Sequence, residues 1–169
     1  ALSKLCDECC DNPLPALELR RRLDRIKGKP FPKPFLYIGG ALSAGGFAVF
    51  FGGTLLDGVV SAIIALFVCV ALRYFRPITP NTIVFNFVTA LAAGLLICVV
   101  AHFVSDLSVD MAIIGVIMLL IPGVAMTNAT RDMLSGDTIS GVMRFIESLL
   151  WATSLALGFM SALWIATFF

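Results

Sequence analysis

Apolar positions in this chain cluster into five long runs separated by brief polar turns. The hydrocarbon core of a bilayer demands about 20 predominantly apolar residues of helix, at a rise of about 1.5 Å each. Five segments answer that demand: Phe35 to Leu56, Gly58 to Leu72, Thr82 to Val104, a fourth that starts near Val109, and a fifth that ends the chain. The second is short, but Arg73 and Arg76 can snorkel to the interface, and Leu55 and Leu56 lengthen it if the turn before it is tight. The pattern predicts an all-α, polytopic membrane protein with five transmembrane helices.

Turn chemistry agrees with this division. Pro77 and Pro80 bracket a short turn, Thr79 is placed to cap the third helix with Pro80 at its first position, and Ser108 is placed to cap the fourth. Charge then orients the spans. Of the 12 Lys and Arg, 7 lie between Arg20 and Lys33, directly before the first span, and Arg73 and Arg76 close the second. Asp106 and Asp110 flank the third turn without a basic neighbour. The positive-inside rule therefore sets the amino terminus and the second and fourth turns in the cytoplasm and the carboxyl terminus outside. Composition excludes most soluble functions: 59% of the 169 residues are hydrophobic and 14% charged, against about 45–50% and about 25% in soluble domains.

Residues 1–34 are read as a cytoplasmic amphipathic segment and a Pro-rich linker, and 35–169 as the five-helix transmembrane domain. Leu19, Leu23 and Ile26 recur at i, i+4 and i+7 with Arg20, Arg21, Arg22 and Arg25 around them, the pattern of a short helix on the inner membrane surface or against a cytosolic segment. Pro30, Pro32 and Pro34 make a stiff linker. The basic stretch precedes an apolar run, so it reads as a membrane flank and not as a nucleic-acid surface. Cys6, Cys9 and Cys10 form a C-x-x-C-C cluster without a second pair or a nearby histidine, so reduced, unligated thiols are expected, and no metal or cofactor. Cys69 and Cys98 lie inside apolar runs as small hydrophobes. The chain opens on Ala1 and shows no signal-peptide pattern, so an upstream segment is expected to be trimmed.

Small residues recur in the spans, among them Gly39, Gly40, Ala44 and Gly45 in the first, Ala90 and Gly94 in the third, and Ser154, Gly158 and Ala162 in the fifth. Such faces allow close helix contact, either within the chain or with a second copy. An odd number of spans has a further consequence. A second five-span unit following an outward terminus is inserted upside down, the geometry of inverted-repeat transporters.

Chemistry concentrates in Ile121 to Ser148, IPGVAMTNATRDMLSGDTISGVMRFIES. Pro122 removes a helix hydrogen bond and Gly123 loosens the backbone, so the fourth helix is expected to break there and leave carbonyls free. Beyond the break Asn128 and Asp132 share a face, with Arg131 adjacent; Gly136 can end that half-helix and Asp137 can cap the next. Asp137, Ser140, Arg144 and Ser148 fall within a stripe about 80° wide, with Glu147 beside it. Two arginines and carboxylates near a broken helix suit a zwitterionic or anionic solute, or a proton relay. The alternative is an interfacial hairpin that only fixes topology, since the uncharged stretch from Ser148 to Phe169 is long enough to span alone. The sequon at Asn128-Ala129-Thr130 falls on the expected cytoplasmic side and is read as chance. His102 and Asp57 are read as interface markers. One histidine and scattered cysteines assemble no catalytic constellation, so no enzyme is expected.

The run IPG, then TNATRDMLSGD, then SG and Arg144 resembles the signature of the threonine/serine exporter family of bacterial inner membranes. The LRRRLDRI-x-x-KP-FPKP-FL region and the FGG-x-LLDG turn extend the resemblance from about Leu17 onward. It implies a five-helix membrane unit that works with a second such unit, fused or separate. Relatives with split halves are associated with dicarboxylate export, and members usually have a cytosolic region before the linker. The expected function is thus half of a secondary exporter of small amino acids or carboxylates, proton or ion coupled. Its expected partners are the solute, membrane lipid, and a second five-helix unit or another copy. Asn128, Arg131, Asp132, Asp137 and Arg144 are the expected polar pathway. In it Arg131 or Arg144 holds a carboxylate, Asp132 or Asp137 meets an ammonium or the coupled proton, and Pro122 and Gly123 supply the broken backbone. The rival expectation is a non-transporting scaffold whose charged hairpin binds a cytosolic partner.

Overall fold

The computed structural model describes residues 5, 8–10, 15–26, 33–76, 79 and 81–168. Cys6, Pro30, Pro32, Pro77 and Pro80 lie outside the described residues, as does the side chain of Arg25. The chain divides into two compact units, 1–33 and 34–169. The first contains helix α1, Ala16–Ile26. Its opening amides are taken by the carbonyl of Pro15, which accepts from Glu18 and Leu19. Arg22 pairs with Glu18 one turn back and with Glu8, both at 3.0 Å and both exposed, so each pair contributes at most about 1 kcal/mol.

The second unit contains six helices among the described residues: α2 (Lys33–Phe50, its first residue belonging to the first unit), α3 (Leu55–Tyr74), α4 (Thr82–Phe103), α5 (Val109–Leu120), α6 (Gly123–Leu134) and α7 (Thr138–Ala166). The fold is all-helical over the described residues. Three helices, α3, α4 and α7, are long and apolar enough to cross a membrane. The pair α5 and α6 makes a fourth if its 50° bend is counted within one span. The expected count of five is therefore met only in part, because the apolar part of the first run, Pro34–Phe50, falls short of span length.

A local device explains that shortening. Gly52 takes φ +104°, the left-handed conformation that glycine adopts without a Cβ penalty. It donates to the Val49 carbonyl while Gly53 donates to that of Ala48, the two bonds of a Schellman stop. Thr54 then opens α3 through a reciprocal capping box with Asp57. Phe51 to Thr54 are consumed by the turn, and Leu55 and Leu56 pass to α3, as a tight turn requires.

Other ends differ from expectation in detail. The cap of α4 is Asn81, whose side chain accepts from the Ile83 amide at 2.9 Å, whereas Thr79 donates its hydroxyl to the Phe75 carbonyl. Ser108 does occupy the cap position of α5, but without a side-chain cap bond. Asp57, expected at the interface, is fully buried. Its Oδ2 accepts from the Thr54 amide at 2.7 Å and its Oδ1 from the Ser108 amide at 2.8 Å. One carboxylate thus fastens the α2–α3 turn to the α4–α5 turn.

The core of this unit joins α3, α4, α5 and α7 through Ile64, Val68, Ala93, Ile97, Val116 and Leu155. Close backbone approach depends on glycine. A Cβ at Gly158 would stand 2.6 Å from the Phe87 carbonyl, and one at Gly94 would stand 2.6 Å from the Ala162 Cβ. The small residues of the third and fifth runs therefore form an intramolecular seam along which α4 and α7 run parallel. A second set of approaches, Gly45 to the Gly58 carbonyl and Gly115 to the Ala44 carbonyl, seats α2 on α3 and α5.

Candidate functional site

The fourth run breaks where expected. Ile121 leaves the helical region at φ −58°, ψ 129°, the conformation that a following proline favours. Pro122 has no amide to give the Met118 carbonyl, and Gly123 turns its own amide to Ile121 at 2.8 Å. The ladder resumes with Met126 donating to Pro122. The last carbonyls of α5 and the first amides of α6 consequently meet at one gap, a form of irregular backbone that membranes tolerate beside protein or water.

Beyond the gap, α6 and α7 form a tight helical hairpin. Gly136, at φ +97°, donates to the Met133 carbonyl while Asp137 donates to that of Asp132, a second Schellman stop. A Cβ at Gly141 would lie 2.8 Å from the Ala129 carbonyl, so the two backbones touch. Gly136→Ala places a Cβ in the left-handed region and is expected to cost about 1–2 kcal/mol, read as a lower midpoint of unfolding in detergent.

Of the residues expected to form a pathway, the hairpin brings two together. Arg144 donates from Nη1 to Asp132 Oδ2 at 2.8 Å, with the arginine side chain 62% and the carboxylate 32% exposed. Asn128, Arg131 and Asp137 are exposed and have no side-chain hydrogen bond among the described residues. Asp137 holds the cap position of α7 without a side-chain cap bond. The polar stripe is also interrupted: Ser140 and Glu147 are exposed, but Ser148 is buried and spends its hydroxyl on the Arg144 carbonyl at 2.8 Å.

None of these five residues lines the cavity at the break. That cavity, of about 270 Å³, is bounded by Pro122 and Gly123, by Arg76 beyond the end of α3, by Thr82 and Asn86 in the first turns of α4, and by Trp151 of α7. Arg144 precedes Trp151 by seven residues, about 10 Å along the helix axis. The five residues stand on the hairpin, and other residues line the cavity at the break. Sequence reading treated Arg76 as an interfacial charge and passed over Asn86, although an amide inside the run from Thr82 to Val104 is itself a signal of polar lining. Trp151 had no such signal. A larger cleft of about 570 Å³ opens at the opposite end between α4 and α7, around Cys98, His102 and Ile165. Its remaining walls are apolar, and no group of three or more potential metal ligands occurs among the described residues.

The break thus opens on a cavity whose wall is mostly apolar, with Arg76, Thr82 and Asn86 as its polar side chains among the described residues. No curated protein and no solved structure matches the chain. A family model described as "Putative threonine/serine exporter" matches residues 1–166, spanning both the hairpin and the cavity, and the chain belongs to that family of multi-pass membrane exporters.

Proposed function

We propose that this chain is one half of a secondary exporter that moves threonine, serine or a small carboxylate out across the bacterial cytoplasmic membrane, driven by a proton or ion gradient. The supporting observation is the 50° break between α5 and α6 with a charged hairpin beyond it and, beside it, a cavity that Arg76, Thr82 and Asn86 border. In this reading Pro34–Phe50 completes a fifth span, helped by local thinning of the bilayer. The amino terminus lies in the cytoplasm, the carboxyl terminus outside, and an inverted second five-span unit or another copy closes the pathway. The polar surface of Asn128, Arg131 and Asp137 forms the cytoplasmic mouth. Asp132 and Arg144 form a gate there, releasing each other when a solute or proton engages one of them.

The test is counterflow in proteoliposomes containing both halves, screened with threonine, serine and dicarboxylates. Asp132→Asn is expected to change stability by less than about 1 kcal/mol, because the ion pair is exposed. It is expected to slow transport by about tenfold or more, the scale of a lost charge-assisted hydrogen bond. Normal flux through a folded Asp132→Asn complex rejects the gate. One feature favours the scaffold alternative: Leu134, Ile139 and Met143 stand exposed on the hairpin, as in a docking surface. A stable complex of the two halves without flux supports that alternative.

A further inference from the structure

Arg76, an exposed residue in the turn after α3, borders the cavity at the break, and no carboxylate lines that cavity among the described residues. Arg76 is its only charged lining residue among those described, and the guanidinium makes no ion pair or hydrogen bond among the described residues. By contrast Arg144 is engaged by Asp132. Around Arg76 stand a hydroxyl and an amide, Thr82 and Asn86, and the indole of Trp151. The volume, about 270 Å³, lies just below the range of roughly 300–1,000 Å³ usual for drug-sized ligands, so the space suits a small metabolite. An arginine fork matches the two oxygens of a carboxylate.

From these features, and resting on the transport reading above, we infer that Arg76 is the residue that binds the solute carboxylate. The solute sits in the cavity at the Pro122–Gly123 break, against Trp151, while the Asp132–Arg144 hairpin guards its approach. At the other end of the solute, an ammonium with a hydroxyl meets Asn86, Thr82 and the carbonyls that the break leaves free, whereas a second carboxylate accepts from the Asn86 amide and the Thr82 hydroxyl. The assignment moves carboxylate recognition from the hairpin arginines to a position before α4.

The chain has two tryptophans, and Trp164 meets Phe168 edge to face at the opposite end. Trp164→Phe therefore leaves Trp151 as the sole indole reporter. In the full chain in nanodiscs, threonine or succinate is expected to change Trp151 emission saturably, whereas threoninol, which lacks the carboxylate, does not. The arm that responds, threonine or succinate, identifies the source of the carboxylate. Arg76→Gln is expected to weaken that binding by about tenfold or more, and Arg76→Lys, which keeps the topological charge, by about threefold. Both variants are exposed-site changes whose folding is checked by their unfolding midpoints. Unchanged affinity in Arg76→Gln, an equal response to threoninol, or no response to either carboxylate overturns the assignment. Binding that obeys these expectations without flux in the reconstituted complex instead rejects the transport reading.

Discussion

Asp57→Ala is expected to destabilise the membrane domain by about 3 kcal/mol or more, because a hydrogen bond to a charged group contributes about 1.5–3 kcal/mol and two are lost. The carboxylate is fully buried and accepts from the amides of Thr54 and Ser108. Alanine leaves both amides without these partners, removes half of the capping box, and unfastens two turns 51 residues apart in sequence. Asp57→Asn retains one acceptor oxygen but sets an amide N–H against the second donor, so it falls between alanine and the native residue. Thr54→Ala removes only the cap bond to the Asp57 amide, at 3.2 Å, and is expected to cost about 1 kcal/mol. Equilibrium unfolding in mixed micelles orders the three, and an unchanged midpoint for Asp57→Ala would show that the carboxylate does not clamp the turns.

Gly158→Leu is the second large effect, with an expected loss of about 3 kcal/mol. Its Cβ alone would lie 2.6 Å from the Phe87 carbonyl oxygen and 2.7 Å from the Ala90 Cβ. A backbone oxygen inside a helix has no rotamer to adopt, so α4 and α7 must separate. Helix propensity opposes this by about 1 kcal/mol in favour of leucine, too little to reverse the sign. Gly46→Leu is the matched control, because nothing lies within 4 Å of a Cβ there. It isolates propensity from packing and is expected to leave the midpoint unchanged or slightly raised. The same measurement distinguishes an internal seam from a lipid-facing surface, since a lipid-facing Gly158 would behave like Gly46.

Both effects arise from features whose residue types were visible in the sequence but whose partners were not. Gly158 and Gly94 were legible as small residues on helical faces; that they face α4 and α7, respectively, depends on how those helices lie side by side. Asp57 was legible as a polar residue in a turn. Its burial follows from the arrival of the Ser108 amide, a contact across the whole of α3 and α4 in sequence. The chemical segment divides in the same way. Local rules placed the break at Pro122, the stop at Gly136 and the start of α7 at Asp137, since missing amides and left-handed glycines act within a few residues. They did not reveal that Arg144 is taken by Asp132 while Arg76 borders the cavity without an ion pair among the described residues, because that choice is made by the distance between helices.

Hydrophobic run length, turn chemistry and charge asymmetry by themselves determined a helical, membrane-embedded chain and the points where its helices start, stop and break. The FGG-T turn is the instructive case, for a two-glycine stop and a threonine cap decide locally that Leu55 and Leu56 belong to the following helix. Tertiary structure alone decided which glycines meet a neighbouring backbone, which carboxylate is buried, and which arginine is paired. Local preferences act through bonds three to five residues apart, whereas these outcomes depend on approach distances between helices that only the assembled bundle sets.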